Sequence, residues 1–113
     1  NAGFLACDGV VAARDPHFFP EQQLPHWRPT TLLLWEADEP DHVEVVPSPE
    51  VVEAKLAALL AHESQFRSTM KIDDTSSADQ VDAFRTRVLG RLAEHGALAG
   101  VERGEAFKAI REL

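Results

Sequence analysis

Residues 31–65 read TLLLWEADEPDHVEVVPSPEVVEAKLAALLAHESQ, and this stretch decides the fold. Thr31–Trp35 is a continuous apolar run after a turn signal, which predicts a short strand buried on both faces. Glu36–His42 is an acidic turn that contains a proline, and His42–Val46 alternates weakly and predicts a second strand. Together with the helical pattern that follows, these segments indicate an α/β domain.

A strong helix start follows the second strand. Ser48 is a favourable N-cap, Pro49 suits the first helical position, and Glu50 places an acid in the first turn. We expect this helix to run to about Gln65. Its buried stripe recurs at three- and four-residue spacing and consists of Val52, Leu56, Leu59 and Leu60.

The segment before residue 31 combines a helical pattern with an aromatic loop. Residues 2–14 predict a helix with one side formed by Phe4, Cys7, Asp8 and Val11. Each glycine inside a helix costs roughly 1 kcal/mol, so its two glycines indicate close packing against another surface. Residues 15–30 contain four prolines, two phenylalanines and a tryptophan. We expect that loop to wrap over a neighbouring surface, because its rings need burial.

The segment after residue 65 predicts a loop, a helix and one undecided element. Phe66–Ser77 is polar and is predicted to be a mobile loop. Ser77 or Ser76 caps a helix over about 78–95, and Gly96 suits the left-handed position after its end. The predicted stripe of this helix is Val81, Phe84, Val88, Leu89 and Leu92. Residues 105–110 fit either a final strand or a helical turn.

Length and composition limit the possible functions. The chain has 113 residues, which is one modest domain or part of a larger one. A net charge of −8 argues against a nucleic-acid partner, and no apolar stretch approaches the roughly 20 residues that span a bilayer. A single cysteine forms no internal disulfide, which favours a reducing, cytoplasmic location.

The beginning of the sequence indicates a longer polypeptide. Met70 is the only methionine, so Asn1 is not an unprocessed translation start. The first eleven residues lack the basic region of a signal peptide and contain a cysteine, an aspartate and two glycines. We therefore expect this chain to be part of a larger protein.

The residues alone do not form a complete active site. None of the five histidines has the spacing that places two metal ligands on one helix face. His42 with Asp38 and Asp41 is the tightest histidine–acid cluster, and it also fits a solvated acidic turn. Cys7 lies among apolar residues and is predicted to be a small core residue. Ser64 lacks the glycine pattern of a nucleophile elbow.

A family resemblance indicates more about function than the candidate catalytic and metal-binding residues do. Residues 32–66 resemble the C-terminal portion of PIG-L/LmbE-like zinc-dependent N-acetylglucosamine deacetylases. The similar pieces are the LLLW strand, the turn Pro40-Asp41-His42, and the helix pattern K-x-x-A-L-x-x-H-x-S-Q from Lys55 to Gln65. Weaker similarities lie in AARDPHFFPE at 12–21 and GEAFKAI at 104–110, so the likeness covers nearly the whole chain.

The resemblance implies a fold and also a missing part. Residues 1–113 would form the C-terminal portion of one Rossmann-like, three-layer deacetylase domain. The family's His-Pro-Asp-Asp-Glu stretch and its later H-x-x-H-like segment are absent. The N-terminal metal-binding half is therefore expected to lie outside this chain. Zinc is expected for the complete enzyme, and no metal or catalytic role is assigned to a residue here.

Three residues are candidates for the wall of the substrate pocket. His42 lies in a turn at a strand end, and such turns face the ligand crevice in open α/β sheets. His62 follows in the helix motif next to Ser64 and Gln65, and Glu105 lies in the closing segment. Each of the three also has a plain structural interpretation.

The leading functional hypothesis is a fragment of a metal-dependent N-deacetylase, itself inactive. The resemblance implies hydrolysis of the N-acetyl group of an N-acetylglucosamine-containing glycoconjugate or a related N-acyl compound. One alternative is a non-catalytic α/β interaction module that pairs with a partner chain, and another is an unrelated small α/β domain. Because Thr31–Trp35 needs neighbours on both edges, we expect the isolated chain to associate with the N-terminal half or another chain, or to aggregate. A stable, cooperatively folding monomer would contradict this expectation.

Overall fold

A computed structural model describes residues 2–74 and 77–112. Its main elements are the helices α1 (Ala2–Arg14), α2 (Pro49–Leu60) and α3 (Ala78–Ala97), and the strands β1 (Thr31–Trp35), β2 (His42–Val45) and β3 (Gly104–Arg111). Short helical turns cover Pro20–Gln22, Glu63–Gln65 and Phe66–Met70. The three strands form one sheet in the order β1-β3-β2. The chain divides into two compact units, one of Asn1–His42 with Phe107–Leu113 and one of Val43–Ala106.

The unit of Val43–Ala106 contains a hydrophobic core built by α2 and α3. Its buried side chains are Val52, Leu56, Met70, Ile72, Phe84 and Leu92. The predicted stripes of both helices are therefore confirmed at their central positions, while Leu59, Leu60, Val81 and Val88 pack partly buried against this core. Leu89, also placed in the α3 stripe, is instead exposed. Helix α2 ends at Leu60, one turn earlier than expected, and the chain continues in short helical turns.

The prediction of a polar loop over Phe66–Ser77 is wrong for residues 66–72. The mobility of the segment stays a prediction, and Thr75 lies outside the described residues. Phe66–Met70 forms a π-helical turn, and Met70 and Ile72 are 3 % and 1 % exposed in the core. The Arg87 guanidinium donates a hydrogen bond to the Met70 carbonyl. The Gln80 side-chain oxygen accepts from the backbone N–H groups of Asp73 and Asp74, at 2.8 and 3.1 Å. Ser77 is the N-cap of α3, and Ser76 lies outside the described residues.

The predicted helix end at Gly96 is also wrong. Gly96 lies inside α3 and is buried, and the left-handed backbone conformation falls on Gly100, with φ of 68°. Position 96 needs a residue without a side chain for a different reason. A Cβ atom there would lie 2.7 Å from the Val101 carbonyl oxygen and 2.9 Å from the Arg103 backbone, so this close approach requires glycine.

Helix α1 forms over the predicted residues but does not pack as expected. None of its residues is buried against the part of the chain that the structure describes. Phe4 and Leu5 are 78 % and 70 % exposed, and a Cβ atom added at Gly3 or Gly9 would meet nothing within 4 Å. Cys7 is only half-buried, so the prediction of a core cysteine is wrong for this structure.

The aromatic loop between α1 and β1 also leaves its rings exposed. Phe18, Phe19 and Trp27 each keep half or more of their surface accessible. The backbone N–H of Trp27 donates to the Ala13 carbonyl at 2.6 Å, which ties the loop to the end of α1. The surface that was expected beneath these rings is absent from the described residues.

Strand β1 forms where expected, but it is an edge strand. It pairs antiparallel with β3, with Thr31 opposite Arg111 and Trp35 opposite Phe107. The expectation of burial on both faces is wrong here, because its three leucines are half-buried and its two ends are exposed. Residues 105–110, left undecided between strand and helix, belong to β3. None of the described helices combines the length and apolar character that crossing a bilayer requires.

Candidate functional site

The turn that carries Asp41 and His42 is held by β3. The backbone N–H of Asp41 donates to the Phe107 carbonyl at 3.0 Å. One carboxylate oxygen of Asp41 accepts from the Ala109 N–H at 2.8 Å, and the other lies 2.8 Å from the Lys108 ammonium. Asp41 therefore anchors the turn against three consecutive positions of one strand.

His42 lies at the first residue of β2 and is half-buried. Its Nδ1 atom is 3.3 Å from an Arg111 guanidinium nitrogen. Nδ1 is the acceptor in this contact, because a guanidinium nitrogen can only donate. The predicted pocket residue thus stands beside a cation of β3, which the sequence did not indicate.

The hydrogen bond from Ala109 lowers the pKa of the Asp41 carboxyl below its ordinary value, and the Lys108 ammonium lowers it further. Both partners favour the charged form of the carboxylate. Asp41 is accordingly ionised at neutral pH and acts as an acceptor that fixes the turn. Because the pKa of Asp41 is lower in the folded than in the unfolded protein, its carboxylate stabilises the fold at pH values above the unfolded pKa. This stabilisation is lost as the pH falls through the pKa of the folded state.

We expect Asp41→Asn to flatten the acid dependence of stability. The variant keeps the side-chain size but loses the titrating charge, so its free energy of unfolding should fall less between about pH 5 and pH 3 than that of the parent chain. At neutral pH the variant should be the less stable of the two. Urea unfolding at a series of pH values measures both effects, and Lys108→Met should move the profile in the same direction. Parallel pH profiles for the parent and Asp41→Asn would contradict the assignment.

Glu105 lies in β3 and forms an ion pair with Lys55 of α2. Each side chain keeps about a third of its surface accessible, at 35 % for Lys55 and 36 % for Glu105. A pair so exposed contributes little to stability, about 0–1 kcal/mol. The contact nevertheless joins the first residue of the helix motif to the closing segment, two pieces that the resemblance singled out separately.

The start of β3 has a second side-chain contact that the sequence did not indicate. The Ala106 N–H donates to Nδ1 of His95 at 3.1 Å, and His95 lies in the last turn of α3. Nδ1 is the acceptor in this bond, because a backbone N–H can only donate. Glu105 and the residue after it, Ala106, are thus held by side chains from two helices, Lys55 and His95.

His62 lies at the exposed junction after α2. Its backbone N–H donates to the Leu59 carbonyl at 3.0 Å, and its carbonyl accepts from the Gln65 N–H at 2.9 Å. Just beyond it is a cavity of about 600 Å³, lined by Glu63, Ser64, Phe66, Arg67, Ile72 and Asp73. His62 is not among the lining residues, so its predicted contact with substrate stays a prediction. The cavity offers acids and a guanidinium but no nucleophile paired with a base.

Residues 2–74 and 77–112 bring together no group of three or more histidine, cysteine or acidic side chains that could hold a metal ion. In the cluster considered from the sequence, the Asp41 carboxylate is already engaged by Ala109 and Lys108. Three protein ligands are the usual minimum for catalytic zinc. The described residues therefore do not fit a zinc site of their own.

No family model matches the sequence, and no curated protein matches it. Among solved structures the chain is similar to an N,N'-diacetylchitobiose deacetylase from Pyrococcus horikoshii, which was determined in complex with its inhibitor MPG. The TM-score is 0.66 at 22 % sequence identity, and the match covers 96 % of this chain and 38 % of that chain. Residues of this chain thus span well under half the length of the deacetylase, and over nearly all of their own length they share the fold of a part of it.

Proposed function

We propose that this chain is the C-terminal portion of a metal-dependent N-deacetylase. The complete enzyme would hydrolyse the N-acetyl group of an N-acetylglucosamine-containing glycoconjugate or a related N-acyl compound. The observation that carries the proposal is the fold shared with a chitobiose deacetylase over 96 % of the chain. The resemblance of residues 32–66 to the PIG-L/LmbE family supports it independently. The single cysteine agrees with a cytoplasmic location, which is part of the same proposal.

We propose that this chain contributes to the pocket wall and that the rest of a Rossmann-like deacetylase domain holds the metal. The zinc that the resemblance implies would take its ligands from the rest of that domain, because residues 2–74 and 77–112 bring together no group of side chains that could hold it. No step of the hydrolysis is assigned to a residue of this chain. His42, His62 and Glu105 are proposed to lie at the wall of the substrate pocket, where they would position an N-acetylated sugar.

The experiment that tests this proposal measures acetate release. The complete gene product that contains this chain, supplied with zinc, is incubated with N,N'-diacetylchitobiose and with N-acetylglucosamine. We expect acetate release from at least one of these sugars, and none from the 113-residue chain alone. Failure of the zinc-loaded complete protein on both sugars and on a panel of N-acetylated glycoconjugates would overturn the proposal. Release of acetate by the 113-residue chain would overturn the claim that this chain is inactive by itself.

A matched pair of variants tests the pocket assignment in the same assay. His42→Ala should raise KM several-fold with a smaller change in kcat, since a wall residue binds substrate without taking part in the reaction. His17→Ala removes a histidine from the exposed loop after α1 and should leave both constants unchanged. Equal KM values for His42→Ala and the parent protein would remove His42 from the pocket wall.

The alternative function, a non-catalytic module that pairs with a partner chain, is favoured by one observation. The unit of Asn1–His42 with Phe107–Leu113 exposes large apolar side chains, including Phe4, Leu5, Trp27 and Trp35. Contiguous exposed apolar surface marks interaction sites. A complete protein that releases no acetate but binds a partner through these residues would establish the module in place of the enzyme.

A further inference from the structure

The cavity just beyond His62 lies entirely within the unit of Val43–Ala106, and none of the residues proposed for the pocket wall lines it. Its volume of about 600 Å³ falls within the range of sites that bind small molecules, roughly 300–1,000 Å³. The lining consists of two apolar side chains, one hydroxyl and three charged groups: Phe66, Ile72, Ser64, Glu63, Arg67 and Asp73. The cavity therefore combines an apolar surface with groups that can bind a polar ligand.

The wall of this cavity is fixed by contacts that do not use its charged side chains. The Ile72 N–H donates to the Phe66 carbonyl at 3.0 Å, and the Ile72 side chain is buried in the core. The Asp73 N–H donates to the Gln80 side-chain oxygen at 2.8 Å. Between these points lies the π-helical turn of Phe66–Met70, and π-helical turns are rare and are frequent at functional sites. The cavity therefore needs no ligand in order to form.

The three charged side chains of the cavity have no partner among the described residues. Within residues 2–74 and 77–112, the carboxyl groups of Glu63 and Asp73 and the Arg67 guanidinium form no hydrogen bond and no ion pair. On the neighbouring helices α2 and α3, by contrast, Glu53 and Arg85 form an ion pair at 2.7 Å. The charged groups of the cavity are therefore available to a ligand.

The lining matches one class of ligand. It contains two acids and one guanidinium, so it carries a formal excess of negative charge and disfavours anions. A carboxylate accepts hydrogen bonds and a guanidinium donates them, so the matching ligand supplies both donors and oxygen acceptors. Phe66 and Ile72 offer apolar surface to a carbon ring. An amino sugar meets all these requirements, because it has an ammonium group, several hydroxyl groups and a ring with C–H bonds on its faces.

We propose that this cavity is a separate binding site for an amino sugar. The carboxylates of Glu63 and Asp73 accept hydrogen bonds from its ammonium and hydroxyl groups, and the Arg67 guanidinium donates to a hydroxyl or ring oxygen. The site binds its ligand without taking part in hydrolysis. It is inferred from the cavity and its side chains and not from the proposed function. If the complete protein is a deacetylase, the ligand belongs to the same chemical class as a product that carries a free amine.

Titration of the complete gene product with glucosamine, followed by the amide signals in NMR spectra, tests the site. We expect the amides of residues 63–67 and 72–73 to shift along a saturable curve. Glucose, which has the same ring without the ammonium group, should bind there at least about threefold more weakly. Equal binding of glucose, shifts confined to other residues, or no shifts at all would overturn the proposal. The experiment does not measure acetate release, so a failure of the proposed function leaves its outcome unchanged.

Two variants and a control test the carboxylates in the same titration. Asp73→Asn and Glu63→Gln keep the side-chain size and remove the charge, so each should weaken the binding of glucosamine to the cavity at least about threefold. Glu94→Gln removes a charge from an exposed position of α3 outside the cavity and should leave the affinity unchanged. Far-ultraviolet circular dichroism verifies that each variant is folded. If both cavity variants bind glucosamine as tightly as the parent protein, these carboxylates do not form an amino-sugar site.

Discussion

Leu56→Ala is expected to lower the free energy of unfolding by about 2–5 kcal/mol. Leu56 is 1 % exposed and lies among the buried side chains of the unit formed by Val43–Ala106. The substitution removes three carbon atoms from a close-packed core, and the surrounding side chains relax only partly into the space. Because whole domains are stable by only about 5–15 kcal/mol, this one change removes a large share of the total.

Urea unfolding followed by far-ultraviolet circular dichroism measures this effect. Leu98→Ala is the matched control, since Leu98 is 64 % exposed just after α3 and its truncation should change the free energy by no more than about 0.5 kcal/mol. Both variants lose the same atoms, so the difference between them reports burial alone. If Leu56→Ala lowers the free energy of unfolding by less than about 1 kcal/mol, Leu56 is not buried in a close-packed core.

Helix-forming segments with regular periodicity were predictable from the sequence. The three- and four-residue spacing around Leu56 and Phe84 identified the faces of α2 and α3 that the structure buries. The start of α2 was marked by Ser48, Pro49 and Glu50. In the structure the Ser48 hydroxyl hydrogen-bonds the Glu50 carboxylate and lowers its pKa, so the acid in the first turn is held in its charged form.

Segments that lack periodicity were not predictable in the same way. Met70 and Ile72 are separated by a single lysine in a polar stretch, and a π-helical turn directs both into the core. No local pattern distinguishes such a pair from two apolar residues of a loop. For β1 the apolar run predicted burial on both faces, whereas its three leucines are half-buried and its two ends are exposed in the structure.

The sequence suggests the candidate site residues, which stay a prediction, but it does not indicate the contacts that they make. His42 was identified from its turn, and Glu105 from the closing segment. The contacts that hold them come from far along the chain: Ala109 is 68 residues from Asp41, and Lys55 is 50 residues from Glu105. Pairing over such distances depends on the sheet register and on the packing of α2, neither of which has a local signal.

The two glycines of α3 predict opposite outcomes for the same substitution. Gly90→Ala should raise the free energy of unfolding by about 0.5–1 kcal/mol, because alanine is the better helix former. A Cβ atom at Gly90 would meet nothing within 4 Å, so the substitution adds no contact that must be relieved. Gly90→Ala is therefore the control for the effect of alanine on the helix itself.

Gly96→Ala should instead lower the free energy of unfolding by about 1–3 kcal/mol or more. The added methyl group would lie 2.7 Å from the Val101 carbonyl oxygen and 2.9 Å from backbone atoms of Arg103. Backbone atoms cannot move aside as a side chain does, so the turn between α3 and β3 must shift as a unit. That shift would strain the hydrogen bonds that the Gly96 carbonyl accepts from Ala99 and Val101, both at 3.0 Å. If urea unfolding shows both alanine variants to be stabilised, the turn of Val101 and Arg103 does not approach Gly96 closely.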